Sequence, residues 1–272
     1  RNLILKQIKK GKVKISIDII FDQKKLNKYK YFVNGSVNNA EVKLYNNVRA
    51  DNINFDFKID QEAINLKEIE LLFDQIFVTS NEININKLSN QFEVNGYLKT
   101  KKTKISLSDY SKIFKRKIDI LDDLPINLSS NNKVSFKIDN KFKINDLKIE
   151  SKLKFDELFT KTKYQDFIYL KNGDVVINYK KKELNVNLNS KFLFKKEKYN
   201  NSDSKNLFKL VYKNSESTEE VIDIDLSNTN NKINYEEFKK YISFKNFSLP
   251  NQDISFSSKN KIKFNINKNN KI

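Results

Sequence analysis

The sequence predicts an all-β protein with one or two short helices, in which an antiparallel sheet with too many strands to stay flat curls into an open trough. Apolar and polar residues alternate one by one along most of the 272 residues, the period of strands with one wet and one apolar face. The large apolar residues, which include 21 Phe, favour half-buried pleated surfaces. No alternation of strands with helical segments appears, which argues against a parallel α/β fold. The alternative fold is a β-sandwich with a two-layer core of Phe residues.

Residues 1–110 form the first predicted strand block. Val13, Ile15 and Ile17 share one strand face, while Lys14 and Ser16 lie on the other. Clusters of Asn, Asp, Lys or Ser interrupt this alternation, and we interpret each interruption as the end of a strand. The predicted strands of the block are 12–21, 29–37, 40–46, 52–60, 63–73, 76–79, 82–86, 91–99 and 103–107.

Residues 111–128 break the rhythm and predict a helical or irregular connector. Ile113, Phe114 and Ile118 have a helix-like spacing, and Pro125 closes the segment. The connector separates the first strand block from a second one.

Residues 129–272 form the second predicted strand block, with a short helix near residues 233–244. The helix is expected because Tyr235, Phe238 and Ile242 fall on one stripe, with charged residues opposite. The predicted strands of this block are 133–138, 141–155, 166–179, 183–195, 206–213, 252–257 and 260–266.

Asn and Asp are expected to make the turns, because the chain has four Gly and two Pro and Asn and Asp tolerate the left-handed conformation. Asn172-Gly173 is the strongest hairpin signal. Two Val-Asn-Gly steps, at 33–35 and 94–96, place Gly inside strands, where it marks a bulge or a close backbone approach. The other predicted turns are Asn38-Asn39, Asn46-Asn47, Asn131-Asn132, Asp139-Asn140 and Asn230-Asn231.

The composition argues against catalysis, a bound metal and a cofactor. The chain has no His and no Cys, which removes the common activating base and the common soft metal ligands. Carboxylate pairs such as Asp223 and Asp225 lie among Lys and Asn, without the spacing of a calcium loop. We therefore expect a protein that is not an enzyme and that acts through its apolar surface.

The net charge of +18 raises the question of a nucleic-acid partner. Of the 52 basic residues only Arg1, Arg49 and Arg116 are Arg, and the chain has 40 Asn. Base readout and bidentate phosphate contacts favour Arg, whereas abundant Lys and Asn are typical of an AT-rich genome. We expect no nucleic-acid partner, and attraction to anionic lipid headgroups fits the charge at least as well.

A repeated cadence runs through the middle of the chain. An apolar-x-apolar strand is followed by a segment of the type Leu-x-(Asp/Glu)-Ile and then by a strand that carries Gly. The cadence covers residues 54–59, 63–71, 78–85 and 92–98, and a similar pattern covers 173–179 and 184–188. It resembles the AsmA-like superfamily of bacterial envelope proteins, which includes the YhdP and TamB relatives, over residues 30–110 and more loosely over 130–195.

This resemblance implies that the sheet is an elongated, twisted, U-shaped β groove in the periplasm, anchored in the inner membrane through a segment outside this fragment and reaching toward contact with the outer membrane. Phospholipid or other lipid acyl chains would slide along its apolar face, and no cofactor is implied. The residues expected to line the groove share strand parity with apolar neighbours. They are Phe55, Phe57, Ile59, Phe92, Val94, Leu98, Phe136 and Ile138. The alternative function is a structural or adhesive β-sandwich module that binds protein partners.

Overall fold

A computed structural model describes residues 8–21, 29–43, 49–74, 76–106, 124–141, 143–160, 168–194, 205–214, 219–235 and 252–267. The thirteen elements in these ranges are all strands. They are β1 (Ile8–Phe21), β2 (Tyr29–Lys43), β3 (Arg49–Ile59), β4 (Ala63–Phe73), β5 (Ile76–Lys87), β6 (Gln91–Ile105), β7 (Ile126–Asp139), β8 (Ile144–Thr160), β9 (Ile168–Lys180), β10 (Glu183–Phe194), β11 (Lys205–Asn214), β12 (Glu219–Asn234) and β13 (Asp253–Asn267).

The strands form one open antiparallel sheet in which the order in space is the order in the sequence, from β1 at one edge to β13 at the other. Short reversals produce this meander, because antiparallel strands joined by a tight turn become neighbours. Within the described residues no second layer packs on the sheet, since all substantial contacts join consecutive strands. The prediction of an all-β, open antiparallel sheet is confirmed, and the two-layer sandwich is wrong.

β6 and β7 join the two predicted strand blocks directly. Their pairing runs from Gln91 opposite Asp139 to Ile105 opposite Ile126. Residues 107–123, which hold most of the predicted connector, lie outside the described residues. The end of that prediction is wrong, because residues 126–128 already belong to β7. The two blocks are therefore parts of one sheet.

The predicted helix at 233–244 is wrong at its first two residues, whereas Tyr235, which follows them, is helical. β12 continues to Asn234, and Ile233 is paired with Ile254 of β13. The backbone N–H of Tyr235 then donates to the carbonyl of Gln252 at 3.1 Å. Residues 236–251, which include the rest of the predicted helix, lie outside the described residues.

Most of the predicted Asn turns lie inside longer strands. Asn39, Asn172 and Asn230 have φ angles of 51°, 52° and 53°, and each lies at a register shift against a neighbouring strand. They are β-bulges, which use the left-handed conformation as a turn would. The predicted turns at 38–39, 131–132, 172–173 and 230–231 are therefore wrong. The turn at 139–140 is confirmed, and the one at 46–47 lies outside the described residues.

The bulges keep a strand continuous where its apolar parity changes. They do this in β4, whose bounds are as predicted, and they make β2, β5 and β6 longer than predicted. In β4, Leu66 and Ile69 have opposite parity, and Glu68 between them has a φ of 50°. The extra residue of the bulge returns both side chains to one face. Register shifts in the same way fuse predicted strands 29–37 and 40–46 into β2, 76–79 and 82–86 into β5, and 91–99 and 103–107 into β6.

The bulges also bend the sheet, because a bulged strand kinks and twists more strongly than a regular one. The bend between β2 and β3 is held by side-chain hydrogen bonds. The backbone N–H of Asn39 donates to Asn54 Oδ1 at 2.9 Å, and Asn54 Nδ2 donates to the carbonyl of Asn52 at 2.9 Å. A flat single layer would leave its apolar face in water, yet Phe57 is 9% exposed and Phe155 is 7% exposed. The burial of these two rings, each of which lies over a Gly of the neighbouring strand, is consistent with a curled open sheet.

Candidate functional site

One row of cross-strand partners crosses all thirteen strands and holds an aliphatic residue, an aromatic residue or Gly at each of them. Residues opposite each other in antiparallel strands project from the same face of a sheet. The row therefore defines one continuous face, which we call the apolar lane. From β1 to β13 its members are Ile15, Gly35, Phe57, Leu66, Ile83, Gly96, Val134, Ile149, Tyr179, Leu184, Tyr212, Ile222 and Phe264.

Two neighbouring rows widen the apolar lane, one in each half of the sheet. From β1 to β7 the second row consists of Ile17, Val33, Ile59, Ile64, Ile85, Val94 and Phe136. On the other side of the central row, from β9 to β13, it consists of Ile177, Val186, Leu210, Ile224 and Ile262.

The apolar lane is long and is better shielded inside the sheet than at its edges. Neighbouring strands lie about 4.8 Å apart, so the twelve steps from β1 to β13 span roughly 58 Å. Ile15 at one edge is 59% exposed and Phe264 at the other is 49% exposed. The members between them are half-buried or buried. The interior of the lane is thus a shallow, partly dry channel that opens at both ends.

Two Gly residues make room for Phe rings in the floor of this channel. A Cβ atom at Gly35 would lie 2.5 Å from Cζ of Phe57, and one at Gly173 would overlap the ring of Phe155. Both rings lie across the neighbouring strand over a Gly, which covers backbone that would otherwise be bare. Gly96 differs, because its nearest neighbour would be the Ile83 side chain at 3.0 Å.

A small polar cluster interrupts the apolar rows in the middle of the sheet. It consists of Thr100, Ser130, Asn132 and Ser151, on β6, β7 and β8. Asn132 Nδ2 donates to Ser130 Oγ at 2.7 Å, and Thr100 Oγ1 and Ser130 Oγ share a hydrogen bond of 2.9 Å. Ser151 Oγ donates to Asn132 Oδ1. The cluster satisfies its own polar groups, so it can lie in an apolar surface at little cost.

The opposite face of the sheet is charged. Cross-strand ion pairs include Lys154 with Asp174 at 3.7 Å and Lys102 with Asp156 at 2.6 Å. The hydrogen bond from Lys102, helped by its charge and by Asn127, lowers the pKa of Asp156. The sheet is therefore amphipathic across its thickness, with an ionic outer face and an apolar lane.

Two side-chain oxygens of Asp residues have further structural effects. Asp139 Oδ1 accepts hydrogen bonds from the backbone N–H groups of Lys143 and Lys141, both at 2.9 Å. These bonds close the turn between β7 and β8 and lower the pKa of Asp139. Asp60 Oδ1 closes the β3–β4 turn in the same way, accepting the N–H groups of Glu62 and Ala63 at 2.8 Å.

The eight residues that the sequence predicts for the groove lie on β3, β6 and β7. Phe92 is opposite Ile138, and Val94 is opposite Phe136. Phe57 is a member of the central row, and Ile59, Val94 and Phe136 belong to the second row. Phe55 lies opposite Val37. Leu98 lies opposite Asn132 of the polar cluster. Contact of these side chains with a lipid stays a prediction.

Sequence reasoning missed three parts of the lane. One is Gly173 under the Phe155 ring, which was taken for a turn residue, whereas Gly35 was predicted to mark a bulge or a close backbone approach. Another is the polar cluster, where Asn132 was taken for a turn although it shares parity with Val134. The third is the stretch from β9 to β13, whose apolar alternation at Leu184 and Ile222 carried the signal.

Within the described ranges, no group of three His, Cys, Asp or Glu side chains is placed to hold a metal ion. No helix in the described part of the chain has both the length and the hydrophobicity needed to cross a membrane. Comparisons with family models, with curated proteins and with solved structures find no match to this chain. The arguments for function therefore come from the sheet itself.

Proposed function

We propose that the apolar lane binds lipid acyl chains and lets them move along the sheet, as a non-catalytic segment of a bacterial envelope protein. The observation that supports this most directly is the unbroken central row of thirteen apolar, aromatic or Gly positions. A protein that only needed a stable core would have no use for an apolar face that stays open over its whole length.

The dimensions of the lane fit acyl chains. The hydrocarbon core of a bilayer is about 30 Å thick, so one leaflet of acyl chains is about 15 Å deep. The lane, at roughly 58 Å, could hold several chains end to end. Each buried methylene contributes about 0.8 kcal/mol, so a chain would be held firmly. Because the contact has no direction, the chain could also slide from one strand to the next.

The charged outer face and open channel suit the rest of a phospholipid. Headgroups could remain in water along the open side of the curl while the tails lie on Leu66, Ile83 and their neighbours. The excess of Lys would favour anionic headgroups. We place the protein in the periplasm, anchored in the inner membrane and directed toward the outer membrane. An adhesive β-sandwich is disfavoured, because its second sheet is missing from the described residues.

A pair of adjacent substitutions tests the proposal. Val94 lies in the second row of the lane and is half-buried, while Asn95 lies on the opposite face of the same strand. Val94→Asp adds a charge to the lane, where an unpaired charge is costly. Asn95→Asp adds the same charge outside it. Relative to the wild type, Val94→Asp should raise the dissociation constant of a fluorescent fatty acid at least tenfold. Asn95→Asp should change this constant less than twofold.

Far-ultraviolet circular dichroism of both variants separates a loss of binding from a loss of folding. If Val94→Asp unfolds, the isosteric Val94→Thr gives the milder test of polarity at the same position, with a smaller but measurable loss of affinity. Absence of probe binding by the wild type, or equal binding by Val94→Asp and wild type, would reject the lane as a lipid site.

A further inference from the structure

The outer face of the sheet, opposite the apolar lane, carries a row of side-chain amides. Residues opposite each other in antiparallel strands project from the same face, and one polar row crosses the six strands from β2 to β7. We call it the amide row, and its members are Asn34, Lys58, Asn65, Asn84, Asn95 and Ser135. The four strand steps from Asn34 to Asn95 span roughly 19 Å.

The four Asn side chains of the amide row have no partner inside the sheet. All four are half-buried, and none forms a side-chain hydrogen bond within the described part of the chain. Asn54 and Asn132 differ, because their amides donate to the Asn52 carbonyl and to Ser130 Oγ. Each amide offers two N–H donors and one carbonyl acceptor. The amide row therefore presents a line of donors and acceptors to whatever lies on this face.

A depression of about 390 Å³ lies at the β5–β7 end of the amide row. It is lined by Asn84, Asn95, Tyr97, Lys99, Lys133 and Glu82, with Asn81 and the floor residues Gly96 and Val134. The Tyr97 ring is 51% exposed. Neither Lys99 nor Lys133 forms an ion pair within the described ranges. An accessible ring thus lies beside two amides and two cations that the sheet does not use.

A second depression, of about 760 Å³, lies at the β2–β4 end of the same row. Its lining includes Phe32, Asn34, Lys58 and Asn65, and Phe32 is 40% exposed. Phe32 lies opposite Asp18, so its ring projects from the outer face and not from the lane. Both ends of the amide row therefore combine an accessible ring with amides that lack partners.

This combination fits a saccharide better than the other ligand classes. Sugar hydroxyls donate and accept hydrogen bonds, as amides do, and the C–H face of a sugar ring can pack on an aromatic ring. An acyl chain would leave the amides without partners. A phosphate-rich ligand favours Arg, and the amide row has a single cation, Lys58.

We propose that the outer face binds an extended saccharide chain, which lies across β2 to β6 along the amide row. The amides bind its hydroxyl groups, Tyr97 packs against a sugar ring at one end, and Phe32 does so at the other. The site lies on the face opposite the lane. Its failure and the failure of lipid binding are therefore separate results.

The Tyr97 ring gives the first test. An array of immobilised neutral and acidic oligosaccharides identifies a bound sugar, and isothermal titration gives its dissociation constant. Tyr97→Ala should raise this constant at least about tenfold, because the packing surface is lost. Tyr97→Phe keeps the ring and should stay within about threefold of the wild type.

The amides give the second test. The double variant Asn65→Leu with Asn84→Leu keeps the side-chain size and removes the hydrogen-bonding groups, so the constant should rise at least about tenfold. Asn187→Leu is the matched control, because Asn187 lies on the outer face of β10 opposite Val176 and Lys209, outside the amide row. It should change the constant less than about twofold.

Circular dichroism checks that each variant is folded. If the double variant unfolds, Asn84→Asp keeps the shape of the side chain and replaces its two donors with acceptors. It should raise the constant at least about threefold.

Four results would each overturn the proposal. The first is that the wild type binds no saccharide of the array. The second is that binding disappears at about 1 M salt, where screening acts over about 3 Å, since the lysines alone would then hold the ligand. The third is an equal loss for Tyr97→Phe and Tyr97→Ala. The fourth is an Asn187→Leu variant that binds as weakly as the amide-row variants.

Discussion

The strands from β2 to β5 and those from β10 to β12 form the same kind of ladder in different ways. The ladders of β2 with β3 and of β3 with β4 each contain two register shifts. The ladders of β10 with β11 and of β11 with β12 contain none. Yet the apolar rows cross both regions on one face. A bulge and a regular register are thus two solutions to the same requirement, which is to keep alternate side chains in phase from strand to strand.

The two regions differ in whether the apolar residues of a strand stay at odd or at even positions along its whole length. In β11, and in β12 as far as Leu226, the main apolar row keeps one parity, as in Ile222, Ile224 and Leu226; the bulge of β12 at Asn230 lies beyond this row, against β13. In β3 the parity changes between Ala50 and Ile53, and in β5 it changes between Ser80 and Ile83. Where the parity changes, only a bulge can hold both runs on one face. The bulged region should therefore depend on local contacts that the regular region does not need.

The largest expected effect concerns the Gly residues beneath the Phe rings, which occur in the bulged region at Gly35 and, outside both regions, at Gly173 of β9. Gly35→Val would bring a side chain against the backbone carbonyl of Lys14 and against the Phe57 ring, and Gly173→Val would force the Phe155 ring out of its position. Each should lower the free energy of unfolding by about 3 kcal/mol. Gly96→Ala is the control, because it meets only the end of the Ile83 side chain, and it should cost about 1 kcal/mol or less.

Urea titration followed by circular dichroism measures all three variants. If Gly35→Val and Gly173→Val cost no more than Gly96→Ala, the rings do not depend on the Gly positions. In that case the burial of Phe57 would have to come from the curl alone.

A smaller effect is expected from the hydrogen bonds that hold the bulges. Asn54→Ala removes the acceptor of the Asn39 N–H and the donor to the Asn52 carbonyl. The loss should be about 1–2 kcal/mol. Asn185→Ala is its counterpart in the regular region. It removes one hydrogen bond to Glu183 and should change stability by about 0.5 kcal/mol or less.

Equilibrium unfolding of the two Asn variants compares them directly. If the two variants lose equal free energies of unfolding, the bulged region depends no more on its side-chain hydrogen bonds than the regular region does. That result would contradict the difference drawn between the two regions.

The smallest effect is a dependence of the free energy of unfolding on pH, which arises at the turn between β7 and β8. This turn lies outside both of the compared regions. The N–H groups of Lys143 and Lys141 hold the pKa of Asp139 below its ordinary value of 3.8. A lowered folded-state pKa stabilises the fold above the unfolded-state pKa, and the stabilisation is lost as pH falls through the folded-state value. Asp139→Asn should therefore be less stable than the wild type by a constant amount above about pH 5.

The gap between wild type and Asp139→Asn should close as the pH falls below 3.8. Unfolding by urea at pH 7, 4 and 3 measures it. A gap that widened toward acid would show that the carboxylate opposes folding at this turn.

The fold class could be read from the sequence because the alternation is a direct record of which face each side chain occupies. The lengths of the strands could not, because the signal at a break is ambiguous. Asn39 and Asn140 are both polar residues that follow a run of alternation. One is a bulge residue inside β2 and the other lies in a turn. The partner strand decides between them, since it either continues alongside or ends.

The candidate site was predictable in part for the same reason. Parity alone placed Phe57, Val94 and Phe136 among the lane residues. The register that brings Val94 opposite Phe136 across the undescribed segment 107–123 is a long-range pairing, and no local pattern encodes it. The polar cluster was missed because Asn132 was judged by its residue type, whereas its parity with Val134 placed it on the apolar face.

The order of the strands has one more consequence. In the described sheet each strand makes its substantial contacts with the strand before it and the strand after it, so the sheet behaves as a linear chain of coupled hairpins. Stability in such a system is close to a sum of nearest-neighbour contributions, and folding can begin at any hairpin and spread to both sides. Duplication or deletion of a whole hairpin would lengthen or shorten the channel by about 10 Å, twice the strand spacing, without remaking a core. Evolution could therefore adjust the reach of this protein in fixed increments.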